Sequence, residues 1–416
     1  MSDPVSRRTL LAAAAFGGGI IAASHANAAS LGNPDLPPQG AINANPGSVS
    51  DPGPRNPGIA SQLPSAGNPP ATDVGDMPLF WSSFNTAHKR IQNGGWAREV
   101  TASDFPLSTA VSSVNMRLSA GGIRELHWHL ASEWALVTNG ACRITVLDTD
   151  GRASVQDVQE GGLWYFPAGM PHSLQGLGPD GCEFVIVFDD GTQSEFGTLL
   201  VTDWLAHTPP EILAANFGLP ADTFKNIPLN DLWIFQGKEP GPLAADQASV
   251  ASGGSPPDPF TFALANTAPV KENASGYLRL ADSRTFRISK TIAAALETIK
   301  PGAVREMHWH PNADEWQYYI KGEARMTVFG AGPRAQTMDF RPGDIGLVKK
   351  SNGHYVQNTG KEDLVFLAVF RAPEYQEISL SQWLARTPPA LVAQHLQIDP
   401  ATIARFPSQA PGILPL

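Results

Sequence analysis

The chain has only two cysteines in 416 residues, Cys142 and Cys182, and no C-x-x-C spacing. That excludes a disulfide-stapled scaffold and thiol chemistry as a theme. The two thiols read as buried residues near strands, with pairing in an exported fold as the alternative. Charge is also scarce: charged residues make up 16%, with Lys+Arg 29 against Asp+Glu 39 and a net charge of -10. A negative chain without any basic run longer than a pair such as Lys349-Lys350 is the wrong partner for phosphate, so nucleic acid is excluded. Long apolar runs are missing as well. The one apolar stretch near the start is too short and too glycine-rich to span a bilayer stably.

Turn formers, in contrast, are plentiful: Gly 39 and Pro 37. With few charges for salt-laced helices, this predicts an all-β protein of many strands and turns. Residues 1–28 run from Ser6-Arg7-Arg8-Thr9-Leu10-Leu11 through an Ala/Gly/Ile stretch to Ala26-Asn27-Ala28. Basic head, apolar middle and A-x-A end read as an export signal, and the paired arginines resemble the twin-arginine type, which predicts a periplasmic or secreted protein not held by a membrane after cleavage near Ala28; an ordinary secretory signal or an uncleaved anchor is the competing reading. Residues 29–78, crowded with Pro, Gly, Asn and Ser, predict an extended arm outside the core. A second polar stretch at 240–259 predicts a linker between domains at 79–239 and 260–416.

Those two domains repeat one another. Arg124-Glu125-Leu126-His127-Trp128-His129 returns as Arg305-Glu306-Met307-His308-Trp309-His310, and Glu133-Trp134 as Glu315-Trp316. His172 matches His354, and Trp204-Leu205-Ala206-x-Thr208-Pro209-Pro210 matches Trp383-Leu384-Ala385-x-Thr387-Pro388-Pro389. A period of about 180 residues far exceeds a solenoid unit, so each copy should own a core. Helical tails such as 209–217 are expected to close each copy.

The repeat carries its chemistry with it. Residues i and i+2 of a strand share a face, so His127-x-His129 aims two imidazoles at one point. Glu133 returns from the next strand and His172 completes the set. The second copy offers His308, His310, Glu315 and His354, with one extra residue before its glutamate that a loop or bulge can absorb. Recurrence at matched positions predicts two metal centres. Three nitrogens, one hard oxygen and no thiolate leave open positions on a six-coordinate ion, which suits Mn²⁺ or Fe²⁺ better than structural zinc. The net positive centre would favour a small, chelating anion.

These residues resemble the cupin family. Gly121-x5-His127-x-His129-x3-Glu133-x6-Gly140 and Gly161-x5-Pro167-x-Gly169-x2-His172 match its two motifs. Gly302-x5-His308-x-His310-x4-Glu315-x6-Gly322 repeats the first, while the later motif departs in carrying Lys349 and Ser351 where Pro and Gly are usual. Among bicupins the chain is most similar to oxalate decarboxylases, through Leu163-Trp164-Tyr165-Phe166-Pro167, Phe188-Asp189-Asp190-Gly191 and 202–209, over roughly residues 79 to 400. The resemblance implies tandem double-stranded β-helix (jelly-roll) barrels, Mn²⁺ in each, and conversion of oxalate to formate and CO2 with O2 as a non-consumed cofactor. It also implies a homo-oligomer, trimer or hexamer.

The resemblance places a mobile lid at 194–198 over the first metal, with Glu195 as its catalytic acid/base. Without it Glu195 reads equally as a solvated loop residue. Phe196-Gly197 departs from the more polar lid of the family, which bears on the partition between products. Arg124 and Arg305 each precede the first ligand by three residues and are implied to hold an oxalate carboxylate; strict alternation would turn Arg124 away from the metal unless a bulge intervenes. Ala368 replaces an acid the family carries in the second copy, which makes the first copy the expected catalyst. Trp128 and Trp309 alternate to the opposite face and are expected to pack in a core. The competing functions are a bicupin oxalate oxidase making peroxide, a dioxygenase for larger enols or phenols, and a non-catalytic metal-binding or storage bicupin.

Overall fold

The computed structural model describes residues 56–416. The export signal and most of the Pro/Gly-rich arm lie outside the described residues. From Phe80 onward the regular structure is mostly antiparallel strand, wound into two barrels of the same design. Among the described residues no helix is long and apolar enough to cross a membrane.

Each barrel closes two curved sheets around its own core. In the first, Gly122–Trp128 pairs with His172–Gly176, which pairs with the far half of Glu133–Leu147. The near half of that strand pairs instead with Cys182–Phe188 and Leu163–Phe166, so one strand bends through both sheets. The bend falls at Gly140, whose φ is 73° and where a Cβ would sit 2.0 Å from the carbonyl oxygen of Gly181, so only glycine fits. In the second barrel the same turn, at Gly322 with φ 83°, separates Glu315–Lys321 from Ala324–Gly330.

The apolar runs Cys182–Phe188 and Leu364–Phe370 show how the barrels meet. Phe184, Ile186 and Phe188 fill the first barrel, while Val185 and Val187 point the other way. There they join Trp134, Leu136 and Tyr165 against Trp316, Ile345, Leu347, Leu367 and Val369 of the second barrel. A strand buried on both faces has no need of polar alternation, hence its near-continuous hydrophobicity.

The structure departs from the expected domain division in two places. Trp81–Ser83, which precedes the first barrel, pairs with Asp344–Val348 of the second; Thr261–Phe262, past the linker, pairs with Leu163–Phe166 of the first. The barrels thus exchange edge strands. Nor is the described end of the arm free: Asn56 caps the helix Pro57–Gln62, Ser65 N donates to Asp339 at 2.6 Å, and Val74 bridges Ala335. Asp73 accepts from Thr337 N at 2.9 Å, so polar groups rather than apolar periodicity fasten it to the second barrel. Short helices, including Pro210–Phe217 and Pro389–Leu396, follow each barrel. Cys142 and Cys182 are buried, close neighbours in the first core and not joined.

Candidate metal centres and active site

In each barrel the four expected ligands converge. His127, His129, Glu133 and His172 are buried, with their ligand atoms within 4.8 Å of one another; so are those of His308, His310, Glu315 and His354. The paired histidines end the strands Gly122–Trp128 and Ala303–Trp309, the glutamates open the next strands, and the third histidines sit opposite the first (His127↔His172, His308↔His354). The extra residue of the second copy is taken up in the loop before Glu315.

Every imidazole is oriented by a main-chain carbonyl at Nδ1. His127 meets Glu125 O, His129 meets Ala131 O at 2.6 Å and His172 meets Met170 O at 2.8 Å. His308, His310 and His354 meet Glu306 O, Gln376 O and Asn352 O at 2.7, 2.7 and 3.2 Å. That fixes Nδ1–H as donor and leaves Nε2 as a lone pair aimed inward. The Nε2 atoms of His172, His310 and His354, with Glu315 Oε2, have no hydrogen-bond partner despite burial. His310 and His354 Nε2 do lie 3.1 and 2.8 Å from Glu315 Oε2, but without hydrogen-bond directionality. Buried, orphaned lone pairs converging on one point are what a cation would satisfy, so both sets fit a bound metal. The glutamates are steadied from outside, Glu133 by Trp164 Nε1 at 2.7 Å and Glu315 by Gln317 Nε2 at 2.9 Å.

Protonation favours ligation. Burial, then the neighbouring His172 and Arg124, hold the His127 imidazole well below its usual range, and burial, Arg305 and His354 do the same to His308. Burial opposes ionisation of Glu133 and Glu315, yet the surrounding imidazoles outweigh it and keep both carboxyls well below the usual range. His127, His172 and His308 are thereby biased to the neutral form, and Glu133 and Glu315 to the anionic one.

Arg124 reaches the first centre because the pairing of its strand slips between Arg124 and His127. That irregularity breaks the strict alternation that would have turned the side chain outward, and Arg305 benefits from the same slip before His308. Arg124 is 2% exposed and lines a tight cleft with a cavity volume of only about 10 Å³ together with His127, His129, Glu133, Glu195 and Thr198. With Glu195 turned in, that is about the room of a single water, which leaves place for none but a small ligand. Burial pulls the Arg124 guanidinium below its ordinary value, Glu195 pulling the other way. Its one hydrogen bond among the described residues goes to Trp233 O at 3.3 Å, and its guanidinium lies 5.1 Å from the Trp233 ring centre.

Glu195 opens a single turn, Glu195–Gly197, and is 5% exposed, its side chain turned into the cleft rather than to solvent. One carboxylate oxygen pairs with Arg90 Nη2; the other is buried without a partner among the described residues. Three further groups hold this lid that no motif announced. Glu99 accepts from Ser194 Oγ at 2.9 Å and from Glu195 N at 2.8 Å, Arg90 grips Glu195, and Phe196 stacks edge-on against Trp233 with ring centres 5.5 Å apart. Glu125, beside Arg124 but on the outer face, accepts from Leu232 N and Trp233 N at 3.0 Å each and from Thr202. Only its charge inside an otherwise apolar-periodic strand hinted at this.

One expectation is revised. Trp128 and Trp309 do not pack in a core: they sit half-buried on the outer barrel faces, edge-on to Trp204 and Trp383 at 5.6 and 5.7 Å, because the helices that follow each barrel cover that face only partly. Ala368 stands where expected, and a buried acid the sequence reading passed over, Glu297, lies on the strand adjoining it. The signal was a lone charge in the apolar run Ala293–Ile299.

Two barrels, each with three histidines and a glutamate at its mouth, define a bicupin. The cupin model matches residues 82–224 and 262–404. Oxalate decarboxylase OxdC of Bacillus subtilis is 48% identical over 83% of this chain and 89% of its own length, and a probable oxalate decarboxylase of Arthroderma benhamiae is 38% identical over 80% and 82%. A solved structure of the Bacillus subtilis enzyme, studied for its Mn(II) centres, superposes with a TM-score of 0.85 at 45% identity, covering 89% of this chain and 97% of that one. The chain belongs to the cupin family, and within it to the bicupin oxalate decarboxylases.

Proposed function

We propose that this enzyme is a manganese-dependent oxalate decarboxylase, converting the oxalate monoanion to formate and CO2 with O2 required but not consumed, and that the first barrel is the catalyst. The observation that carries the reading is the placement of Glu195: a lid carboxylate turned into the same small cleft as Arg124 and the ligand residues His127, His129 and Glu133. Manganese fits the three-nitrogen, one-oxygen set and is named for the Bacillus subtilis relative. When bound, the metal supplies a Lewis acid and a one-electron relay for substrate activation.

The chain supplies the rest. Arg124, fixed by Trp233, offers its remaining N–H donors to a substrate carboxylate. Glu195 Oε2, free of other partners, is placed to take the substrate proton and return it to carbon once CO2 has left. The lid held by Glu99 and Arg90 keeps bulk water from the cleft while it does so. Loss of proton return would divert the same site to oxidase chemistry with peroxide.

Export by a twin-arginine route and homo-oligomeric assembly extend this reading. Exposed apolar residues on the barrel flanks, Leu126, Leu130, Trp204, Met307 and Trp383, favour association, which sedimentation would measure. The deciding experiment incubates the purified, Mn-loaded protein with oxalate in air and measures formate and peroxide together. Abundant formate with little peroxide is expected. Peroxide as the main product would make the enzyme an oxidase, and neither product would leave a metal-binding bicupin.

A further inference from the structure

Arg124 and Arg305 occupy equivalent positions in two near-identical barrels, yet their surroundings are opposite in character. The register makes the comparison residue by residue. Met116 pairs with Phe184 as Glu297 pairs with Phe366, and Leu200 faces His127 as Ser379 faces His308, which makes Thr198 the counterpart of Glu377. Met116 and Thr198 line the first cleft beside Arg124. In the second barrel both of these lining positions carry acids, and the space Glu297 needs is provided by Ala295 and Ala368 where the first barrel has Val114 and Ile186.

Those acids and two neighbours engage four of the five N–H donors of Arg305. Its Nε donates to Glu297 Oε2 at 3.0 Å, Nη1 to Gly412 O at 3.0 Å, and Nη2 to Tyr375 Oη at 3.0 Å and to Glu377. Tyr375 in turn donates to Glu377, closing the ring of partners. Arg305 is 1% exposed and Glu297 is 2% exposed, so neither carboxylate is there by solvent accident. Burial pushes the Glu297 carboxyl up, with Arg305 as the main opposing charge. A substrate anion entering here would meet an arginine with four of its five N–H donors taken by Glu297, Glu377, Tyr375 and Gly412, and two carboxylates already in the place its own carboxylate would fill, Glu377 paired with Lys271 as well.

We propose that Glu297 and Glu377 lock the second metal centre against oxalate, so that each chain carries two metals but binds substrate at one. The lock, rather than any weakness of the metal site, accounts for the asymmetry of the duplicated barrels. Glu297 and Glu377 are specificity-determining residues that act through Arg305. The proposal rests on oxalate being the substrate of the first barrel.

The test counts oxalate bound per chain by equilibrium dialysis of the Mn-loaded, full-length protein under anaerobic conditions, with metal content measured in the same samples. The native chain is expected to bind one oxalate with two metals. The double variant Glu297→Met, Glu377→Thr, which installs the residues of the first barrel, is expected to bind two oxalates with two metals. The converse variant Met116→Glu is expected to bind none while keeping both metals, which guards against reading a folding defect as a lock. Two oxalates on the native chain, or one on the double variant with both metals present, would overturn the proposal. No oxalate on the native chain would overturn the substrate assignment itself, a result distinct from a failed lock.

Discussion

Glu99 accepts the backbone N–H of Glu195 at 2.8 Å, and the same carboxylate takes the Ser194 hydroxyl at 2.9 Å. The acid that would move the proton is thus held from behind by a second acid on a neighbouring strand. Burial raises the Glu99 carboxyl, with the Glu195 N–H and Ser194 as the opposing influence, so its charged form depends on the lid being closed. Glu99→Ala is expected to loosen the lid. Misplacing a catalytic group costs on the order of 10- to 100-fold, so formate production should fall by that much and the peroxide share should rise, with both metals retained. Unchanged product ratios would remove Glu99 from lid control.

The two centres are separate, so they should empty separately. His172→Ala removes the ligand opposite His127 and leaves His308, His310, Glu315 and His354 untouched. Metal content measured by elemental analysis is expected to drop from two per chain to one, with formate production lost. Activity persisting at half metal content would transfer catalysis to the second barrel.

Without metal, the ligand histidines make the fold acid-sensitive. Burial lowers His127, His172 and His308 in the folded chain, with neighbouring charges adding to the shift of the first and last. As pH falls below the unfolded value of about 6.5, the unfolded chain takes up protons that the folded one refuses, so stability present above that value is lost on acidification. Each such group contributes a slope of up to about 1.4 kcal/mol per pH unit. Denaturation of the metal-free protein from about pH 7.5 to about pH 5.5 should show falling stability, with a shallower slope for His127→Gln. A flat profile would contradict the buried, neutral imidazoles.

How much of this was readable in the chain follows from how local each signal is. His127-x-His129 needs only strand alternation, and its duplication at His308-x-His310 makes coincidence untenable. Arg124 needed a bulge, which leaves no mark in side-chain periodicity. Glu99 and Arg90 meet Glu195 across 96 and 105 positions of sequence, so no spacing rule could pair them. The strand exchange rests on the three residues Trp81–Ser83 and the two residues Thr261–Phe262, too short to show a period. Glu297 was the most legible omission, a single acid in a strand otherwise built from Ala, Leu, Thr and Ile.

Glu125 and Glu306 give the final contrast between the barrels. Both are buried on the outer face of the strand that carries the paired histidines, and both clamp a segment that follows the barrel. Glu125 holds Leu232 N and Trp233 N, while Glu306 holds Gly412 N at 2.7 Å and Ser379. Truncating either leaves donors that are at least partly buried without their acceptor, at a cost of up to about 3 kcal/mol, and a barrel of this size should melt up to roughly 6 to 12 °C lower. The functional outcomes should differ. Trp233 carries the carbonyl and the ring that seat Arg124, so Glu125→Ala should also weaken oxalate binding, visible as a raised KM beyond the stability loss. Gly412 seats Arg305, which the locked site does not use, so Glu306→Ala should leave KM unchanged below its melting point. Equal KM shifts in the two variants would mean that both arginines bind substrate.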